Sequence, residues 1–157
     1  MIDTLNRYAA YLSAIILALL VILIVYDATA RYLFQTGSIT LQELEWHLFD
    51  IVILLGIGFT LQKNLHVRVD IFYDNFSERM RHIVDIFGYI CFILPFSVLI
   101  IYIGFDFVIL SFEQLEGSSN PGGLPYRFIV KSLMPIAFVL LGLQVVSELK
   151  QRIKALL

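Results

Sequence analysis

The stretch Tyr8–Tyr26, YAAYLSAIILALLVILIVY, runs without a single charged side chain. A helix rises about 1.5 Å per residue and a bilayer's hydrocarbon core is about 30 Å thick, so a run of this length is suited to crossing a membrane. Two more segments have the same character, Ile86–Phe105 and Phe128–Val146, the last carrying Lys131 one turn inside its start and Gln144 near its end. Trp46–Leu61 is weaker, because its uninterrupted apolar part, Ile51–Leu61, is too short to span alone and needs polar neighbours to complete the crossing. The sequence therefore predicts an all-α membrane bundle of four transmembrane helices in one domain, 1–157, with spans over about 8–33, 42–62, 83–110 and 127–147.

Composition agrees. Of the 157 residues 59% are apolar and 15% charged, and a soluble domain of that size would need more polar surface. The net charge of −2 offers no basic field for nucleic acid. Cys91 lies alone inside an apolar run, where packing is its expected role, and it allows no internal disulfide. Ala28-Thr29-Ala30 has the small-x-small look of a signal-peptide cleavage site, but the apolar run before it is long for such a peptide and Asp27 and Arg31 flank the site. That reading is set aside.

The basic residues set the expected orientation, since short loops rich in Lys and Arg stay in the cytoplasm. Arg7 precedes the first span, Lys63, Arg68, Arg79 and Arg81 fill the second connection, and Lys150, Arg152 and Lys154 follow the fourth span. The first connection, Gln35 to Thr40, and the third, Ser111 to Tyr126, contain neither Lys nor Arg, and the third offers Glu113 and Glu116. Both termini are expected inside, with Tyr8 and Tyr11 at the inner headgroups and Tyr32, Phe34 and Trp46 at the outer. Ser77 or Asn75 can cap a helix that runs to Phe112, about 54 Å long, so tilt, protrusion or a break near Pro95 is expected.

The charged residues near the spans are the candidate functional groups. Asp27 and Arg31 sit four apart and share a helix face, either as an ion pair or with Arg31 snorkelling to headgroups. Glu43, His47 and Asp50 follow an i, i+4, i+7 spacing on one stripe of the second helix, while Glu45 projects from nearly the opposite side. Such a stripe should avoid lipid, so it packs on Arg31 and other polar groups in the bundle, faces another protein, or lines an aqueous path. The acidic residues gather toward the outer ends of the spans, which argues against an independent ion-coupled pump. His66 and His82 fall in the cytoplasmic connection and only His47 is near a span, which argues against haem. No constellation of nucleophile, base and metal ligands suggests an enzyme. In the third connection Pro121-Gly122 signals a turn, and Pro125 stands just before the fourth helix, where its fixed φ helps the helix begin.

Four segments in this order resemble the small membrane subunit of tripartite ATP-independent periplasmic (TRAP) transporters: Ala30-Arg31-Tyr32-Leu33-Phe34, Leu41-Gln42-Glu43-Leu44-Glu45-Trp46, His66-Val67-Arg68-Val69-Asp70 and Pro121-Gly122-Gly123-Leu124-Pro125. The resemblance covers nearly the whole chain. It implies a bacterial inner-membrane accessory subunit, without a cofactor of its own, that scaffolds a larger multi-span subunit. That partner would hold the sodium and substrate sites and move by an elevator-type motion. A periplasmic binding protein would deliver an organic acid, such as a dicarboxylate, keto acid or sialic acid, to the outer face. On this reading Asp27, Arg31, Glu43, Trp46, His47 and Asp50 are expected at the partner interface. Glu113, Glu116 and the segment Pro121, Gly122, Gly123, Leu124 and Pro125 are expected to shape the docking surface, and His66, Arg68 and Asp70 form the cytoplasmic loop motif. The alternative is a stand-alone small four-helix transporter or exporter acting as a homo-oligomer.

Overall fold

The computed structural model describes residues 2–63, 73 and 75–156, and four of its helices are long and apolar enough to cross a membrane. They are α1 (Ile2–Phe34), α2 (Ile39–Gln62), α3 (Glu78–Glu113) and α4 (Phe128–Leu156). α1 packs along α2, α2 along α4 and α3 along α4, with a lighter contact between α1 and α4. Both termini lie at one end, where Asn6 of α1 reaches Gln144 of α4, and the long connection between α3 and α4 lies at the other.

Local chemistry explains where each helix begins and how it accommodates its prolines. Ser38 opens α2 and Ser77 opens α3 as N-caps, each hydroxyl accepting from a backbone N–H three residues on. α3 runs unbroken past Pro95. Instead of breaking, it widens into a π-helical turn at Tyr89–Ile93 immediately before the proline, a local adjustment that accommodates a residue with no N–H to donate. α4 contains Pro135 in its interior, and Gly104 of α3 gives it room, because a Cβ there would meet Pro135 Cδ at 3.4 Å and Met134 Cε at 3.0 Å.

The interior is built for an apolar solvent. Buried polar side chains outnumber buried apolar ones among the described residues, while large apolar side chains cover the outside of α1 and α3. Lipid tails are as apolar as leucine, so close backbone approach and interhelical hydrogen bonds hold such helices together. α1 turns a single narrow face inward, through Asn6, Ser13, Leu20 and Asp27. Ser13 donates to the Val52 carbonyl at 2.7 Å, and Gly58 lets α2 approach so closely that a Cβ would fall 2.3 Å from Asn6 Oδ1. A small apolar core of Leu61, Tyr89, Leu141 and Val145 joins α2, α3 and α4.

Candidate functional site

The connection from α3 to α4 starts with a helix end closed without glycine. Leu115 adopts φ 45°, its N–H donates to Phe112 O at 3.0 Å, and the Glu116 N–H donates to Ser111 O at 3.0 Å, so the last carbonyls of α3 are satisfied. Residues 120–123 form a turn closed by Gly123 N–H on Asn120 O at 3.0 Å, with Pro121 and then Gly122 at φ 81° in the central positions, the type II arrangement that the Pro-Gly pair suggests. Ser118 N–H closes the loop on Leu124 O at 3.0 Å. Pro125 does not begin α4. Tyr126 follows it at φ 61°, and the helix starts at Phe128, so the proline belongs to the loop.

One carboxylate gathers this loop. Glu43, only 3% exposed on the first turns of α2, accepts from the Leu124 N–H at 2.7 Å, from Asn120 Nδ2 at 3.2 Å, from the Ser118 hydroxyl and from Arg127 at 3.4 Å. Gly123 makes the approach possible, since a Cβ there would lie 2.7 Å from Glu43 Oε2. Thr40 adds a second tie from α2, donating to Gly122 O. The Arg127 guanidinium also lies over the Trp46 ring, 5.6 Å from its centroid, and Trp46 stacks at a tilt on His47 with centroids 4.1 Å apart. α2 thus holds the 114–127 connection with a charged clasp whose donors come from backbone, amide, hydroxyl and guanidinium.

Of the partners left open by the sequence, Glu43 meets polar groups within the bundle, Arg127 and the loop, and not Arg31, which pairs with the buried Asp27 one turn back on α1. The i, i+4 spacing places Asp27 within immediate reach of Arg31. His47 and Asp50 lie half-buried beyond Glu43 on α2, and Trp46 and Glu113 are exposed. Glu116 is engaged within the chain by Lys131, whose ammonium also sits 4.0 Å from the Phe107 ring centroid. The hydrogen bond from Lys131 chiefly holds the Glu116 carboxyl below its ordinary pKa. Arg127 is missing from the sequence reading and Lys131 figures there only as a charge inside the fourth span, because both fall just past the end of the connection, although oppositely charged residues on both sides of one loop were a readable signal. His66, Arg68 and Asp70 lie outside the described residues.

At the opposite end the polar contacts run between helices. Gln144, fully buried on α4, accepts from Asn6 Nδ2 at 2.8 Å and donates to Asp3 Oδ1 at 3.0 Å and Glu148 Oε1 at 3.1 Å. Ser147 donates to the same Asp3 oxygen at 3.3 Å, and Gln62 of α2 donates to the Asp3 carbonyl at 3.4 Å. Arg152 of α4 pairs with Asp85 of α3, which also accepts from the Tyr73 hydroxyl at 2.7 Å. Among the described residues no group of three or more His, Cys, Asp or Glu is arranged to hold a metal ion. These arrangements tie helix to helix and helix to loop.

Comparison with known proteins places the geometry in context. Residues 20–155 match the model of the DctQ component of tripartite ATP-independent periplasmic transporters. A Haemophilus influenzae protein, provisionally named a TRAP transporter small permease, is similar at 25% identity over 138 residues, covering 87% of this chain and 83% of that protein.

Proposed function

Because the chain belongs to the DctQ component family of TRAP transporters, we propose that it is the small membrane subunit that scaffolds the large transport subunit and presents the 114–127 loop to a periplasmic binding protein. The observation that carries the second half of this reading is the Glu43 clasp. A loop this long is ordinarily mobile, yet here one buried carboxylate fixes its turn, its backbone and its flanking cation together. A preformed surface costs less to bind than one that must order on contact.

In this reading the end carrying both termini faces the cytoplasm of a bacterial inner membrane, and the 114–127 loop faces the periplasm. The distribution of Lys and Arg supports that orientation, and Arg127 and Lys131 do not oppose it, because Glu43 and Glu116 neutralise them. Sodium and an organic acid would be handled by the large subunit. The polar groups of this chain support a holding role, since Glu43 and Glu116 at the loop end are occupied by the chain's own donors.

Reconstituted liposomes test the proposal. The large subunit alone and the pair are each supplied with the binding protein and a sodium gradient. Uptake only by the pair is the expected result; equal uptake without this chain, or uptake by this chain alone, would reject it.

A further inference from the structure

The outer half of α3 presents a charge that the fold does not use. Asp106 is exposed, and it is preceded by Tyr102-Ile103-Gly104-Phe105 and followed by Phe107-Val108-Ile109-Leu110, so it sits within the apolar span rather than beyond it. It lies seven residues before Glu113 at the end of the helix, about 10 Å along the axis. Its nearest buried neighbour in sequence is Gly104, which faces Met134 and Pro135 of α4. At about 100° per residue, Asp106 points nearly opposite to the face formed by Ser97, Gly104 and Ser111. Tyr102, 71% exposed, and Glu113 lie on the same outward stripe. Three other carboxylates near this end are paired within the chain, Asp27 with Arg31, Glu43 with Arg127 and Glu116 with Lys131.

A carboxylate on a lipid-facing surface inside a span is costly, and such residues ordinarily face protein or a polar path. Beside the stripe runs an open apolar groove of about 360 Å³ between α3 and α4, lined by Ile101, Phe105 and Ile109 on one wall and Pro135, Ile136 and Val139 on the other. Groove and charge together describe a surface for another helix, with apolar side chains to fill the groove and a cation to meet the acid. The outward face of α1 has no equivalent; Ile15, Ile22 and Val25 are exposed there and suit lipid. A second copy of this chain meeting the stripe across a two-fold axis would bring Asp106 toward Asp106, so self-association is disfavoured by like charge.

We infer that the Tyr102/Asp106/Glu113 stripe of α3 is the line along which a transmembrane helix of the large subunit docks, bringing a lysine or arginine to Asp106. The inference rests on the reading of this chain as the small subunit of a TRAP transporter.

The test places the photoreactive residue p-benzoylphenylalanine at Tyr102, and in a control at Ile22 of α1, in the chain co-expressed with a large TRAP membrane subunit from the same organism. Irradiation is expected to give at least about tenfold more adduct with the large subunit from position 102 than from position 22. Asp106→Leu and Asp106→Lys should lower the large subunit recovered per small subunit by about tenfold or more, while Asp106→Glu retains it. Asp106 forms no hydrogen bond or ion pair among the described residues, so the variants should insert and accumulate as wild type does. Co-purification that survives both substitutions, with adducts only from α1, would overturn the inference and leave the subunit assignment intact. Adducts only with lipid or with a second copy would also overturn it. Failure of the wild-type chain to co-purify with the large subunit would remove the subunit assignment itself, and the inference with it.

Discussion

At the end of the bundle that carries both termini, polar side chains join helix to helix; at the opposite end they join helices to a loop. Gln144 ties α4 to α1 through Asn6 and Asp3, and Arg152 ties α4 to α3 through Asp85. Glu43 instead gives its carboxylate to Ser118, Asn120, Leu124 and Arg127, nearly all within one connection. The first arrangement decides how the helices sit together. The second decides the shape of a surface. Substitutions at the two ends should therefore fail in different ways, and that difference is measurable.

The largest loss of stability is expected at the helix-to-helix end. Gln144→Leu leaves the buried Asn6 amide and the Glu148 carboxylate short of a partner, at about 1–3 kcal/mol for each group unpaired. The thermal midpoint of the detergent-purified chain should fall well below that of wild type. A midpoint equal to wild type would show that this network is not what joins α1 to α4.

Gly58→Ala comes next. Its methyl group would fall 2.3 Å from Asn6 Oδ1 in a fully buried contact, forcing α1 away from α2 at about 1–3 kcal/mol. The double variant Asn6→Ala with Gly58→Ala should regain part of the midpoint, because the clash is removed although the bond to Gln144 is lost. If the double variant is as unstable as the sum of the singles, the close approach is not the cause.

Glu43→Gln should act on the loop more than on the helices. An amide in that place directs an N–H donor toward the donors of Ser118, Asn120 and Arg127, so the connection should become sensitive to added protease while the thermal midpoint changes little. Equal resistance of the two loops would mean that the turns hold the connection without the clasp.

The smallest expected effect is on pH dependence. The Lys131 hydrogen bond depresses the Glu116 pKa in the folded protein, so the stabilisation is complete above the ordinary glutamate pKa of about 4.5 and is lost as pH falls through the lower folded value. Wild type and Lys131→Met should therefore differ slightly in thermal midpoint near neutral pH and converge on acidification below that range. Both groups retain solvent contact, which keeps the difference small. A gap that widens at acid pH would contradict the assigned sign.

The four spans and the serine cap of α3 were legible because hydropathy, length and capping are local properties. The Pro121-Gly122 turn was legible for the same reason. What the pattern could not supply was pairing across the chain. Glu43 and Arg127 are 84 positions apart, and nothing in the i, i+4, i+7 stripe of α2 says which loop will fold over it. Arg31 was one of several partners the stripe left open, but that cation has a carboxylate one turn away on its own helix. Pro95 marked a disturbance in α3, yet the choice between a break and a π-helical turn depends on what packs beside it. Asp106 escaped notice because a single acid near the end of an apolar run is ordinary; its outward direction appears only once Gly104 and Ser111 are seen to face inward.

The most direct test of the central claim compares wild type and Glu43→Gln in liposomes carrying the assembled two-subunit complex, measuring the concentration of binding protein that gives half-maximal uptake. If α2 holds the docking surface, the variant complex assembles normally and that concentration rises by about tenfold or more, the equilibrium factor of a weakened docking step. An unchanged concentration, in a variant whose loop is shown by proteolysis to be released, would contradict it.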